Sequence, residues 1–157
     1  GVANLACFTA GTGVLMHDGS WRPIEDVKPN DMIRVGPRSS EVTRVTKTYV
    51  LPPEKLRRIE WTGGGKVQAT REHRFWVDGK GWVAAMNLNT GDHLMNDAGE
   101  RVRITRLTDL ENDQPVYTFS VWGDNVFYAN GVLVHDMCAM ENNDVITTAT
   151  AGGRDAQ

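Results

Sequence analysis

The chain has 157 residues, of which 40% are hydrophobic and 24% are charged, so it is long enough and apolar enough to form one domain with a buried core. Its net charge of −3 and its pI of about 5.8 give no electrostatic reason to expect a nucleic acid or an anionic membrane as a partner. No apolar run approaches the length that spans a bilayer, and the start, GVANLACFTAGTGVLM, lacks the basic region of a secretory signal. The sequence therefore carries no recognisable targeting signal, which leaves the localisation open and is compatible with the cytoplasm.

Short runs rich in β-branched and aromatic residues follow one another along the chain, separated by turn signals. The turn signals include Asp18-Gly19, Asp78-Gly79 and Asn130-Gly131. The runs that alternate apolar and polar residues, as half-buried strands do, include VTRVTKTYV (42–50), VRITRLT (102–108) and PVYTFSV (115–121). Only IEDV (24–27) and AAMNL (84–88) are predicted to form a helical turn each. The pattern predicts an all-β fold such as a sandwich, a barrel or a comparable architecture.

The first half of the chain is echoed in the second half at an offset of 60 to 62 residues. At an offset of 61, Trp21 falls on Trp82 in the segments HDGSWRPIEDVKPNDMI (17–33) and VDGKGWVAAMNLNTGDHL (77–94), and at 62 His73 falls on His135. Ordered matches at a nearly constant offset predict two β subdomains that are related by a pseudo-two-fold axis and share one core. We therefore expect Trp21 and Trp82 in equivalent core positions, and His73 and His135 at equivalent ends that meet in a common centre.

The cysteines and histidines are too few and too scattered for a metal site or a disulfide framework. The two cysteines, Cys7 and Cys138, form no CxxC pair, although a single bridge between them stays open. The four histidines show no metal-ligand spacing such as HExxH, so we predict no metal.

Three short segments hold the residues that could carry chemistry, and each also has an ordinary structural interpretation. Cys7 could be a small buried apolar residue or, beside a base, a nucleophile. Thr70 and His73 in TREH could mark a strand end or a cap, or could supply a hydroxyl and a general acid or base. The His135-Asp136 pair after VLV could be an Asx-type turn, or a site where the imidazole polarises a carbonyl that the Asp side chain attacks.

Taken together, these segments resemble one known family. The segments CFTAGTGVLMHDGSWRPIEDV, TREHRFWV with GWVAAMNLNTGDHL, and VYTFSV with NVFYANGVLVHD resemble the Hint module of inteins and hedgehog-type autoprocessing domains over about residues 6–137. They are most similar to bacterial intein-like domains and pre-toxin Hint domains. The resemblance implies a horseshoe-shaped all-β fold of two pseudo-two-fold related β subdomains. It divides the chain into an upstream flank (1–6), the module (7–136) and a downstream flank (137–157) that we expect to be flexible.

The resemblance also implies roles for individual residues. The Cys7 thiol would attack the carbonyl of Ala6 and convert the amide between them into a thioester. Thr70 and His73 would strain, orient and protonate that bond, and His135 would be the penultimate histidine that assists cleavage at the downstream junction. The substrate and partner would be the flanking segments of the chain itself, with no cofactor, and we expect a monomer.

The downstream junction departs from the splicing pattern of that family. Splicing requires Asn at position 136 and Cys, Ser or Thr at 137, whereas this chain has Asp136 and Met137. An Asp carboxylate cyclises more slowly than an Asn amide, and Met137 cannot accept an acyl group. Cys138, a candidate secondary nucleophile, lies one residue too late, and Thr118 stands where the family often has Asp or Asn.

These features predict an intramolecular autoprocessing domain with an N–S acyl shift at Ala6–Cys7. Upstream cleavage is expected to dominate, cleavage after Asp136 to be slower, and splicing to be inefficient. Two alternatives stay open, a Cys/His thiol hydrolase that acts in trans and an inactive β module that serves as a spacer or interaction domain. Only the autoprocessing domain would fragment at Ala6–Cys7 with first-order, concentration-independent kinetics.

Overall fold

The computed structural model describes residues 6–123 and 125–136 of the chain. In this part the regular structure is β, apart from two single-turn 3-10 helices at Ile24–Asp26 and Ala85–Asn87, neither long nor apolar enough to cross a bilayer. The strands are β1 (Phe8–Thr9), β2 (Gly13–Leu15), β3 (Trp21–Pro23), β4 (Met32–Arg34), β5 (Val42–Leu51), β6 (Leu56–Trp61), β7 (Gly65–Thr70), β8 (Arg74–Val77), β9 (Gly81–Ala84), β10 (His93–Met95), β11 (Arg101–Leu110), β12 (Val116–Val121), β13 (Val126–Ala129) and β14 (Val132–His135). The all-β prediction is confirmed, and both helical turns lie in the two segments predicted to form them.

The strands form one antiparallel sheet in the order β3-β2-β13-β14-β8-β10-β11-β6-β7-β1-β12-β5-β4, and β9 pairs with β8 beside this path. Two positions in this order matter for the site. The short strand β1 lies between β7 and β12, and β14 lies between β13 and β8. Residues from the start, the middle and the end of the described chain are therefore neighbours in one sheet.

The pairing register confirms the pseudo-two-fold relation. The long strand of each half pairs with a strand of the other half, β5 with β12 and β11 with β6. Both ladders carry a register shift at the same place, after which Val121 lies opposite Val45 in one ladder and Trp61 lies opposite Ile104 in the other. Because each half supplies strands to the other, the two halves share one core, as the sequence echo predicted.

The same relation extends to the turns that precede the long strands. The carboxylate of Asp31 accepts a hydrogen bond from the backbone N–H of Lys28 at 2.8 Å, and that of Asp92 accepts one from the N–H of Asn89 at 2.9 Å. A carboxylate that holds the backbone three residues earlier stabilises a turn. Asp31 and Asp92 also match in the sequence at the offset of 61 residues, and this match thus reflects the same turn formed in both halves.

The expectation that Trp21 and Trp82 occupy core positions is wrong, although their equivalence is confirmed. Trp21 lies opposite Leu15 and Trp82 lies opposite Trp76, at matching places in the two halves. Trp21 is 46% exposed and Trp82 is partly buried. The reason is that β3 ends the sheet and β9 pairs only with β8, so neither strand is covered on all sides.

The expected equivalence of His73 and His135 is also wrong. The carbonyl of His73 accepts a hydrogen bond from the N–H of Ala85, and the carbonyl of Thr12 accepts the matching one from Ile24, both at 2.8 Å. Thr12 is therefore the counterpart of His73. The two histidines nevertheless contact each other, because Nε2 of His73 forms a hydrogen bond with the backbone carbonyl of His135.

Candidate active site

Cys7 is held at the start of β1 by two hydrogen bonds to Thr70 at the end of β7. The backbone N–H of Cys7 donates to Thr70 Oγ1 at 2.9 Å, and the N–H of Thr70 donates to the Cys7 carbonyl at 2.9 Å. Both residues are buried, and so is Ala6. The N–H of Cys7 belongs to the Ala6–Cys7 peptide bond, so the Thr70 hydroxyl contacts the amide that the sequence predicts to be cleaved.

The position of Cys7 is fixed by the residue that follows it. Phe8 is fully buried, and its ring lies edge-on to Phe75 and Phe127, with centroid distances of 6.3 and 5.9 Å. Truncating a buried Phe costs about 3–5 kcal/mol, so this anchor is strong. The core therefore determines where the backbone of Cys7 lies against β7.

The Cys7 side chain lies in an apolar environment. It is 1% exposed and belongs to a small buried cluster with Leu56 and Val116. Burial raises the pKa of the Cys7 thiol well above its ordinary value, and the carboxylates of Glu54 and Glu72 raise it further. The thiol is thus neutral at pH 7, and it can act as a nucleophile only if a base removes its proton during attack.

His73 supplies an uncharged imidazole near this amide. Its ring is fully buried, with its centroid 4.1 Å from that of Phe8, and its backbone N–H donates to the Thr70 carbonyl at 3.1 Å. Its Nε2 lies 2.7 Å from the carbonyl oxygen of His135, which can only accept, so Nε2 carries the hydrogen. In the neutral ring Nδ1 then holds a lone pair, and it has no hydrogen-bond partner among residues 6–123 and 125–136.

Burial lowers the pKa of His73 to about 3, because the charged ring would lose its solvation. The hydrogen bond to the His135 carbonyl opposes this shift, whereas the nearby His135 and Arg74 side chains reinforce it. His73 is consequently neutral at physiological pH, with a lone pair on Nδ1.

The buried neutral state of His73 should make the folded domain sensitive to acid. The unfolded chain binds a proton to this residue below pH 6.5 and the folded chain only below about pH 3, so the free energy of unfolding should fall as the pH decreases between these values. The full loss would be several kcal/mol, at about 1.4 kcal/mol per pKa unit. Urea titrations at several pH values of a Cys7→Ala, Asp136→Ala protein, in which neither proposed cleavage can occur, would measure it.

Two substitutions make that measurement specific. His73→Gln keeps an N–H donor for the His135 carbonyl but does not titrate, so the stability loss between pH 6.5 and pH 5 should largely disappear. His17→Gln, at an exposed histidine, is the control and should keep the slope. An unchanged slope in His73→Gln would show that His73 does not have the depressed pKa.

His135 and Asp136 form the second half of the site. His135 Nδ1 lies 3.2 Å from the Asp136 carbonyl oxygen and 3.4 Å from the carboxylate oxygen Oδ1. Asp136 is fully buried, its Oδ2 accepts the N–H of Val121 at 3.0 Å, and its own N–H donates to the Asn125 carbonyl at 2.8 Å. Both atoms that face Nδ1 are acceptors, so Nδ1–H is positioned to polarise the carbonyl of the Asp136–Met137 bond.

One line of hydrogen bonds joins the two junctions. Val134 in β14 lies opposite Phe75 in β8, which brings the residues after β14 next to the turn that contains His73. Hydrogen bonds then lead from Cys7 to Thr70, to His73, to the His135 carbonyl and on to Asp136. The structure thus brings together five of the predicted site residues, whose catalytic roles stay predictions. Of the other predicted positions, Ala6 is buried next to Cys7, whereas Met137 and Cys138 lie outside the described residues.

Thr118, the position at which the family resemblance expects Asp or Asn, borders the site from the other side of β1. Phe8 lies opposite Tyr117 in the β1–β12 ladder, and continuing this register places Thr118 opposite Cys7. Thr118 is 2% exposed, and its Oγ1 has no hydrogen-bond partner within the described residues. The alternation of apolar and polar residues in β12 indicated on which face of the strand Thr118 lies, but not that Cys7 lies opposite it.

The described residues contain neither a disulfide nor a candidate metal site. Cys7 is a free thiol, and a bridge to Cys138 cannot be assessed because that residue lies outside this part of the chain. Among residues 6–123 and 125–136, no three His, Cys, Asp or Glu side chains are arranged to hold a metal ion.

Comparison with known proteins identifies the family of this chain. The pretoxin HINT domain family matches residues 15–137. The solution structure of a bacterial intein-like domain from Clostridium thermocellum is similar, with 31% identity and a TM-score of 0.73 over 83% of this chain and 98% of that one. A DnaB intein from Synechocystis sp. PCC 6803 has the same fold, with 18% identity and a TM-score of 0.74 over 83% and 98% of the two chains. No curated protein matches. The chain therefore belongs to the pretoxin HINT domain family and has the fold of bacterial intein-like domains and inteins.

Proposed function

We propose that this domain cleaves its own chain at the Ala6–Cys7 bond by an N–S acyl shift. The observation that carries the proposal is the hydrogen bond from the Cys7 amide to Thr70 Oγ1, next to a buried neutral His73. The similarity to intein-like domains supports the same chemistry. A tagged precursor followed by mass spectrometry is the basic test.

The proton balance of this step can be supplied by the chain. The Cys7 sulfur bonds to the Ala6 carbonyl carbon, the bond from that carbon to the Cys7 nitrogen breaks, and the thiol proton ends on the amine. His73 would take up the thiol proton through the lone pair on Nδ1 only as the sulfur attacks, because its low pKa makes it a weak base, and the same low pKa makes the imidazolium a good acid toward the leaving amine. Thr70 holds the amide in place throughout.

The thioester formed at Cys7 then needs an external acceptor. In splicing, a nucleophile at the first downstream position accepts the acyl group, but Met137 has none. Hydrolysis or attack by a thiol from solution would therefore release the upstream segment. This is why we infer cleavage rather than ligation as the main outcome.

Cleavage after Asp136 is the slower second reaction of the proposal. His135 Nδ1–H would polarise the Asp136 carbonyl while the carboxylate, already 3.4 Å from that nitrogen at Oδ1, attacks the same carbonyl carbon. The carbon–nitrogen bond to Met137 would break, the amine would take up a proton, and water would open the resulting anhydride. A cyclic anhydride is a high-energy product, which makes this step slow.

Burial argues against a thiol hydrolase that acts in trans. Cys7 is 1% exposed and Ala6 is fully buried, so a peptide from solution would have to displace the strand that holds the nucleophile. An amide of the same chain needs no such opening. The substrate that the geometry favours is therefore the domain's own backbone.

Thr70→Val is expected to slow upstream cleavage by about 10- to 100-fold. The substitution keeps the shape but leaves the buried N–H of Cys7 without its acceptor, a loss of about 1–3 kcal/mol, and each 1.4 kcal/mol on the barrier is tenfold in rate. Thr70→Ser should restore most of the rate. Release of a tagged upstream segment, followed by mass spectrometry, gives the rate constants.

The pseudo-two-fold relation provides a matched control for Thr70. Thr9 lies opposite Val116 as Thr70 lies opposite Leu56, so Thr9 is the counterpart of Thr70 in the other half. Thr9→Val removes the same hydroxyl and should leave the rate unchanged. Equal rates in Thr70→Val and Thr9→Val would exclude the role of the Thr70 hydroxyl.

A further inference from the structure

The imidazole of His135 is packed against an aromatic pair that has no role in the reaction described so far. The Trp82 ring lies 5.0 Å from the His135 ring, at an interplanar angle of 74°, and the Trp76 ring lies 5.3 Å from Trp82 at 78°. Trp76 and Trp82 are direct neighbours across β8 and β9. The His135 side chain is 14% exposed as a result of its packing in this region.

The proposed downstream cleavage requires one orientation of the His135 ring. Nδ1 must face the Asp136 carbonyl, from which it is 3.2 Å away, and a ring turned over about its last torsion would present a carbon there instead. That torsion is broad and nearly two-fold in energy, so the side chain alone does not select one orientation. An aromatic ring packed edge-to-face against the imidazole, as Trp82 is, can favour one of the two orientations.

The other half of the domain shows what a Trp at this position does without such a contact. Trp21 occupies the equivalent place opposite Leu15, is 46% exposed, and belongs to a strand at the end of the sheet. The strand pair therefore forms in both halves, whether or not its Trp is packed on a histidine. The contact with His135 is the feature that distinguishes Trp82.

We propose that Trp82 is a positioning residue for cleavage after Asp136, which it supports by holding the His135 ring with Nδ1–H on the Asp136 carbonyl. This inference rests on the proposed function of the downstream junction. It concerns that junction alone, because Cys7 packs in a separate cluster with Leu56 and Val116. Upstream cleavage should not depend on Trp82.

The test combines ring orientation with reaction rate. In a Cys7→Ala background, nitrogen-15 NMR of the imidazole at about pH 8.5, where a free imidazole is neutral, reports which nitrogen of His135 carries the hydrogen. We expect one Nδ1–H tautomer in the parent and in Trp21→Leu, and a mixture in Trp82→Leu. The rate of cleavage after Asp136 should fall by about 10- to 100-fold in Trp82→Leu, as for other misplaced catalytic groups. Trp82→Phe, which keeps an aromatic wall, should recover most of it.

Each possible outcome of these measurements either supports or overturns the role of Trp82. An unchanged tautomer and rate in Trp82→Leu would overturn the proposal. Slowing of upstream cleavage in Trp82→Leu with Cys7 restored would also overturn it, because it would show general damage to the fold. If no variant cleaves after Asp136, the proposed downstream reaction fails, and the NMR measurement still shows whether Trp82 positions His135.

Discussion

Cys7→Ala is expected to abolish release of the upstream segment. The sulfur of Cys7 is the atom that would receive the acyl group, and the Thr70 hydroxyl that contacts the amide already accepts the Cys7 N–H. In the unmodified domain, dithiothreitol should accelerate release because a small thiol attacks the thioester. Intact-mass spectrometry of a freshly purified precursor with a tagged upstream segment would measure both effects.

Cys138→Ala is the matched control, because the chain has two cysteines and this substitution removes the other one. Upstream release should continue at the original rate in Cys138→Ala. If Cys7→Ala fragments as fast as the unmodified domain, an amide-cleaving chemistry other than the thioester, or a contaminating protease, is responsible.

Asp136→Asn is expected to accelerate cleavage of the 136–137 bond by more than about tenfold, a barrier decrease of at least about 1.4 kcal/mol. The Asn oxygen can accept the Val121 N–H as Asp136 Oδ2 does, which places the amide nitrogen where Oδ1 now lies, 3.4 Å from His135 Nδ1. An amide nitrogen closes to a stable succinimide, whereas the carboxylate must close to an anhydride. Liquid chromatography with mass detection would resolve the succinimide and its hydrolysis products.

Two further variants and one further product analysis define that result. Asp136→Ala has no cyclising group and should leave the bond intact. Asp136→Asn alone should give no joined flanks, because Met137 cannot accept the acyl group. Adding Met137→Cys should yield some ligated product. If Asp136→Asn leaves the bond as slow as in the unmodified domain, His135 is not positioned for catalysis and the strand simply ends in a turn.

The fold could be predicted from the sequence because the two halves of the chain carry matching residues at a nearly constant offset. The match of Asp31 with Asp92 and of the segments 24–27 and 84–88 reports local turns and 3-10 helices, which depend on residues close in the chain. Local hydrogen bonds leave a local sequence signal. The all-β class and the two halves followed from that signal.

Two predictions were wrong, the core positions of Trp21 and Trp82 and the equivalence of His73 and His135. Both depend on how segments that are distant in the sequence are arranged in the sheet. Whether Trp21 is buried depends on which strand covers β3, and the sheet ends there. The equivalence of His73 with Thr12 is visible only in the hydrogen bonds that their carbonyls accept from Ala85 and Ile24. The position of Thr118 opposite Cys7 follows from the place of β1 between β7 and β12. No local pattern in one sequence encodes such neighbours.

The sequence indicated which residues belong to the candidate site, but not the hydrogen bonds that connect them. Cys7, Thr70, His73 and His135 could be named from three short segments. The hydrogen bond from His73 to the backbone carbonyl of His135 could not, because backbone groups carry no sequence signature. That bond determines the tautomer of His73, and with it the nitrogen available for catalysis.

Trapping the thioester at Cys7 tests the proposed reaction most directly. A fresh precursor would be incubated with hydroxylamine at several protein concentrations, and the released upstream segment would be identified by mass. The predicted result is a segment that ends in a hydroxamic acid at Ala6, released with first-order kinetics at a rate independent of concentration. Release only as a free acid, unaffected by hydroxylamine, or a rate that rises with protein concentration, would contradict an intramolecular acyl shift.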